Sequence, residues 1–415
     1  MKKLIPSLIA AAMVFSLSSC GKSNSDKSEK AADKPYQSLT EAAPVKTSDS
    51  DFAQYPSNTF IATGNNKIVP TADGVTYRAY FPVESSGELE YKFYFSNTVD
   101  STYSLGEDSH VGMSGGNYTI ESAFIADGGT SIEEEPTNMT AVTFGGAAEK
   151  AVAPDETFFS DAVTFNVPEG HFLVWEWTLS GDNIPCTSVS NLTKAAADYN
   201  GGKGFEYCDD VPLPQLIGAK RDVKYRIAAI GDSITQGCQT QFMEYEFWAA
   251  QLSQKLGGDY SFWNCGLGWS RASDAAAGGD WLERTSSADA VIVAFGTNDI
   301  ISGEYGSDGG NTAAEIDAYI RTILDKLKDA QCRVIVFTAP PEDYKPEMES
   351  VRTELNDTLK KTCEEYGFFC FDFAALLSDE SEPAHALYGG HPNGEGGAIV
   401  SDAFIKEYSS FFDVK

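Results

Sequence analysis

Positive charge is scarce in this 415-residue chain. Lys and Arg total 30 against 61 Asp and Glu, for a formal net charge of −31. Such an acidic surface repels phosphate backbones, which excludes nucleic acid as a partner and gives the folded part no attraction to anionic membranes. A neutral ligand or another protein suits this charge better. Histidine is scarcer still. The four residues, His110, His171, His385 and His391, show no metal-ligand spacing, so a histidine-built zinc site is not expected. No phosphate-cradling Gly-x-x-x-x-Gly-Lys loop or dinucleotide fingerprint occurs, and no cofactor is implied. Past the first twenty residues no apolar run is long enough to span a bilayer. What is plentiful is core material: 42% of residues are hydrophobic and 12% aromatic, which argues against wholesale disorder. The length suits two domains or three.

The amino terminus reads as an address. Lys2 and Lys3 precede an apolar stretch, Leu4 to Leu17, too short for a comfortable membrane span and suited to a secretory signal. It ends in Leu17-Ser18-Ser19-Cys20-Gly21, which resembles a bacterial lipoprotein lipobox. The resemblance implies cleavage before Cys20, lipidation of that cysteine, and residence on the extracellular face of a bacterial membrane. The membrane is then a partner only through the anchor. Residues 21–55 are rich in Ser, Lys, Asp, Glu and Ala, and are expected to form a flexible tether. Seven further cysteines follow: Cys186, Cys208, Cys238, Cys265, Cys332, Cys363 and Cys370. An odd number leaves a free thiol unless pairing is intermolecular. A Cys186–Cys208 disulfide and a wholly reduced set both remain open.

Residues 56–222 read as β. Short runs such as Tyr77-Arg78-Ala79-Tyr80-Phe81 and Leu89 to Phe95 alternate in polarity. Others run from Phe172 to Trp177, separated by turns such as Asp127-Gly128-Gly129. Many short strands with turn signals predict an all-β sandwich. It would bind carbohydrate or brace its neighbour, with the bracing role favoured.

From residue 223 to 415 the pattern becomes alternating strands and helices. Strands are expected at Tyr225–Ile230, Tyr260–Asn264, Ala290–Phe295, Arg333–Phe337 and Phe368–Phe371. Helical periods run through Glu244–Leu256, Ala313–Leu327, Met348–Tyr366 and Ala398–Tyr408. This predicts an α/β fold with a doubly wound parallel sheet of about five strands, whose chemistry lies at the strands' carboxyl ends.

Four blocks follow those strands: Gly231-Asp232-Ser233-Ile234-Thr235, Asn264-Cys265-Gly266-Leu267-Gly268-Trp269, Gly296-Thr297-Asn298-Asp299, and His391-Pro392-Asn393. They offer a hydroxyl nucleophile, a glycine amide, a side-chain amide and an imidazole. Acyl transfer needs a base to activate serine and fixed donors for the oxyanion. The blocks, in this order, resemble the SGNH (GDSL-like) hydrolase family over residues 226–415, and carbohydrate esterases of the family 2 type in particular. The resemblance implies Ser233 as nucleophile, His391 as general base, and an oxyanion hole of Ser233 N–H, Gly268 N–H and Asn298. Gly266 is the alternative to Gly268. Asp232 and Asp299 are read as structural, and Trp269 as a substrate contact or a core residue. His385 is read as a surface loop residue. Loops 302–311 and 338–346 are expected to form the pocket walls.

One position departs from the family. The usual Asp three residues before the histidine is Tyr388 here. A Ser-His dyad, its ring oriented by a backbone carbonyl, is favoured over an acid borrowed from elsewhere. The expected activity is removal of acyl groups, acetyl foremost, from a carbohydrate. A lipolytic esterase and a catalytically decayed glycan-binding protein are the alternatives.

Overall fold

The computed structural model describes residues 37, 39, 45–102, 111–190, 192–305 and 311–413, with the side chains of 302–305 left aside. The expected signal peptide, Cys20 and most of the expected tether lie outside the described residues. Residues 36–415 form one compact unit.

Two antiparallel sheets make up the first half. The larger runs in the order Glu206–Tyr207, Ala195–Asp198, Lys67–Pro82, Phe172–Ser188, Tyr118–Asp127, Thr137–Val142. The smaller is built on Gly87–Ser96, flanked by Leu216–Lys220 and Thr157–Phe159. The sheets meet face to face: Phe93 lies 4.6 Å from Trp175 and Phe95 lies 5.4 Å from Trp177, between ring centroids. Side chains alternate across a strand. Phe93 and Phe95 therefore enter the sandwich, while Tyr94 between them enters a second core with Trp263 and Leu216. The smaller sheet is thus covered on both faces.

The second half is a five-stranded parallel sheet. Its strands are β1 (Tyr225–Gly231), β2 (Tyr260–Gly266), β3 (Ala290–Ala294), β4 (Arg333–Phe337) and β5 (Phe369–Phe371), in the order β2-β1-β3-β4-β5. A four-residue helix, α1 (Ser233–Gln236), follows β1 directly. Helices α2 (Trp248–Leu256) and α5 (Gly394–Tyr408) share a core with Ile227, Ala229 and Phe337. Helices α3 (Ala313–Asp329) and α4 (Pro346–Tyr366) share the other core with Ala228, Ile230 and Val336. The same strands feed both cores because alternate residues point to opposite faces.

Two details differ from expectation, and the open cysteine question is decided. Helix α2 begins at Trp248 rather than Glu244, because Met243 and Tyr245 carry φ of 57° and 53°, incompatible with helix. Residues 45–55, expected within the tether, pack on the folded part. The Lys46 N–H donates to Asp289 Oδ1 at 2.7 Å, its Nζ donates to the Ser286 carbonyl at 2.9 Å, and Phe52 stacks on Trp263. Composition did not reveal these partners, which are over 200 residues away. The seven cysteines after Cys20 are free thiols, so the Cys186–Cys208 bridge does not form.

The sandwich covers the edge strand β2. Phe262 N–H donates to Glu84 Oε1 at 2.9 Å, Ser261 Oγ donates to the Ser57 carbonyl at 3.1 Å, and Trp263 Nε1 donates to the Gln215 carbonyl at 3.1 Å. An uncovered edge would be a template for aggregation.

Candidate active site

The site lies at the carboxyl ends of β1, β2 and β3, in a cleft of about 380 Å³ lined by Ser233, Gly268, Trp269, Asn298, Glu342 and His391 among others. Ser233 is there because β1 ends in a turn that leaves no room for a side chain at Gly231. A Cβ on Gly231 would stand 2.5 Å from the Ala294 carbonyl oxygen and 2.4 Å from Thr235 Oγ1. Asp232 then caps α1, accepting from Ile234 N–H at 2.9 Å, and Ser233 becomes the first helical residue. Burial pushes the Asp232 carboxyl up to about 7.

His391 comes from the loop before α5. Asn393 anchors that loop by accepting from Glu395 and Gly396 N–H, both at 3.1 Å, and by donating its own N–H to the Tyr388 carbonyl. The imidazole Nε2 stands 2.7 Å from Ser233 Oγ. Burial lowers the His391 pKa to about 4, so the ring is neutral at pH 7 and able to accept a proton. Cys238 also lines the cleft, but burial raises its thiol to about 12, and the thiolate is absent at neutral pH.

The three expected oxyanion donors come from the ends of three strands and line one cleft. Gly266 is excluded because its N–H is spent on Asn264 Oδ1 at 2.9 Å. Gly268 lines the cleft and its N–H has no acceptor among the described residues. Its carbonyl accepts from Asn66 Nδ2 at 3.5 Å, so a sandwich residue steadies the glycine loop. The Asn298 amide donates to the Ser270 carbonyl at 2.9 Å, which orients its side chain in the cleft wall. Asp299 behind it accepts from Ala272 and Ser273 N–H, tying the Gly296 loop to the Gly268 loop.

Three wall residues hold left-handed backbone: Ser190 at φ 50°, Gln239 at 64° and Trp269 at 66°. Each such conformation costs roughly 1–3 kcal/mol outside glycine, and such strain clusters at working sites. Trp269 is half-buried beside Gly268. Ser190 belongs to the sandwich half, so both halves of the chain form the cleft. His385 sits apart, exposed, with Nδ1 3.1 Å from Asp343.

The expected carbonyl partner of His391 is not found. Among the described residues, no backbone carbonyl accepts from Nδ1. The group facing it is the Glu342 carboxylate, with Oε1 at 3.8 Å. Sequence reading placed loop 338–346 in the wall without singling out Glu342. A lone Glu after a Pro-Pro pair carries no local signal. Of the other expected wall, residues 306–310 lie outside the described residues. No group of three or more metal-ligating side chains occurs among the described residues, nor does any helix long and apolar enough to cross a membrane.

Residues 229–399 match the model of the GDSL-like lipase/acylhydrolase family. Among solved structures, the chain is similar to a member of the lipolytic G-D-S-L family from Veillonella parvula. That match has 18% identity and a TM-score of 0.35, covering 43% of this chain and 96% of that one. It is also similar to a GDSL-like lipase from Bacteroides thetaiotaomicron, at 16% identity and TM-score 0.34, covering 44% and 87%. A third is a variant of an acetylxylan esterase from Geobacillus stearothermophilus, at 20% identity and TM-score 0.35, covering 46% and 96%. No curated protein matches the chain.

Proposed function

With residues 229–399 forming a GDSL-like lipase/acylhydrolase domain, we propose that this protein is a serine esterase that removes short acyl groups, acetyl foremost, from carbohydrate outside the cell. The observation that carries the reading is the 2.7 Å contact between Ser233 Oγ and a neutral, buried His391 Nε2. Ser233 Oγ attacks the ester carbonyl while its proton passes to Nε2. The oxyanion that forms is met by the N–H groups of Ser233 and Gly268 and by the Asn298 amide. The imidazolium then gives its proton to the departing sugar hydroxyl, leaving an acyl-Ser233. Water repeats the sequence, its proton passing through His391, and the carboxylic acid leaves.

The cleft lining supports a small acyl group and a hydroxylated leaving group. Ser190, Gln239 and Thr240 offer polar contacts, and Trp269 offers an aromatic face beside the oxyanion hole. A cleft of about 380 Å³ has room for an acetyl group beside a sugar ring. The net charge of −31 suits a neutral polysaccharide. Export and a lipid at Cys20 would hold the enzyme at the outer face of the membrane, where such polymers are met.

The test is hydrolysis of an aryl acetate by the chain lacking residues 1–20. Activity is expected in the parent and lost in Ser233→Ala and His391→Ala. Acetate release from acetylated xylan, mannan and pectin then fixes the substrate. Faster turnover of long-chain than of acetyl esters would replace this reading with a lipolytic one. Incorporation of labelled fatty acid, abolished by Cys20→Ser, tests the anchor.

A further inference from the structure

We propose that Glu342 is the acid that positions His391, and that the site turns on only when the Glu342–His391 pair has lost one proton. The proposal deepens the esterase reading and rests on it for its kinetic arm.

Glu342 Oε1 faces His391 Nδ1 at 3.8 Å, and it is the only carboxylate so placed among the described residues. No described residue makes a hydrogen bond to Nδ1, and none is shown to Glu342, so each polar group lacks a partner other than the other. A contact at this distance tightens readily in a complex with substrate. The backbone clears the way at Gly390, where a Cβ would stand 3.0 Å from Glu342 Cγ and 3.4 Å from Oε1. The usual acid position cannot serve, because Tyr388 has no carboxylate and its Cβ packs against Gly396. Glu342 instead reaches in from the loop after β4, at the same carboxyl edge as the other site residues.

The surroundings decide the protonation. Burial pushes the Glu342 carboxyl up to about 8, with the neighbouring Asp232 charge adding to the shift. The titratable groups facing it are Asp232 from the β1–α1 turn, Tyr344 on its own loop and His391. Arg352, whose charge acts on Tyr344, is paired with Glu349. At neutral pH the free enzyme thus holds a neutral carboxyl opposite a neutral imidazole. A carboxyl O–H pointing at Nδ1 makes that nitrogen the acceptor. The ring proton then sits on Nε2, where it blocks proton transfer from Ser233. Loss of one proton leaves a carboxylate that accepts from Nδ1–H, exposes the Nε2 lone pair to Ser233, and stabilises the imidazolium formed during attack.

The test compares wild type with Glu342→Gln. For the aryl acetate, wild-type kcat/KM is expected to climb to a plateau above about pH 8. In Glu342→Gln that rise disappears and kcat drops roughly 10²–10⁴-fold, with KM within about threefold. A variant that keeps both the rise and kcat overturns the proposal. A second readout needs no turnover. Nitrogen NMR of isotope-labelled histidine, with His391 assigned by its loss in His391→Ala, reports the ring tautomer. Wild type is expected to pass from Nε2–H to Nδ1–H near pH 8, and Glu342→Gln to show no such passage. A folded wild type with no tautomer change there also overturns the proposal. A tautomer change in a protein that hydrolyses no ester would leave the positioning role standing and remove the esterase reading instead.

Discussion

At the residue scale, the site is a set of neutral partners in a buried cleft. His391 is kept uncharged by burial, so one ring nitrogen carries a free lone pair at neutral pH. On the proposed esterase reading, Asn298 is a side chain readied for one moment of the reaction. Its amide is held by the Ser270 carbonyl at 2.9 Å, so it need not reorganise when the oxyanion forms. Asn298→Ala is expected to lower kcat by roughly 10²–10³-fold with little change in KM, because the lost donor acts only on the developing charge. Steady-state kinetics on an aryl acetate would check it. A rise in KM at unchanged kcat would instead make Asn298 a ground-state binding group.

At the element scale, the sandwich is built into the α/β half. Arg284 donates to Asp100 of the sandwich at 2.6 and 2.9 Å, with both side chains almost wholly buried. Thr102 donates through backbone and hydroxyl to Asp274. Gln236 at the end of α1 donates to the Ser188 carbonyl at 2.9 Å, and Asn66 joins Ser188 to the Gly268 loop. Breaking a buried ion pair typically costs about 3–5 kcal/mol. Arg284 keeps a second partner in Asp280, so Asp100→Ala is expected near the lower end, about 3 kcal/mol. Urea unfolding would show the drop as a lower midpoint at unchanged slope. A loss below about 1 kcal/mol would mean that Asp280 alone satisfies the guanidinium.

At the scale of the whole molecule, two effects push stability the same way with pH. A net charge of −31 repels itself, and the repulsion eases as carboxylates are protonated. Buried Asp232 and Asp299 titrate at about 7 and Glu342 at about 8, all above their ordinary values of 3.8 and 4.5. A carboxyl whose folded value is raised binds its proton more tightly when folded. Its contribution is full at low pH and is lost as pH rises through about 7 to 8. The thermal midpoint is therefore expected to rise as pH falls from 8 toward 5. Below that, carboxylates with lowered values, such as Asp379 at about 2, begin to reverse the gain. Calorimetry across this range checks the trend, and a midpoint that climbs with pH would contradict it. Activity is expected to run the other way, since Glu342 must ionise to work.

The sequence by itself determined whatever a short stretch of chain can encode. Alternation in Gly87–Ser96 and apolar runs in β1 and β3 fix which residues enter which core, because a strand's period is local. The four strand-end blocks named Ser233, Gly268, Asn298, Trp269 and His391, and tertiary structure brought them to one cleft. Gly268 was already preferred, but only tertiary structure excluded Gly266, since that rests on which N–H is already spent. The tertiary contacts alone set Glu342 opposite His391, placed Ser190 in the wall, and laid the sandwich over the edge of β2. Those are contacts between segments about 40 to 180 residues apart, formed when separate elements pack. Neither hydrophobic period nor turn chemistry reaches across that separation.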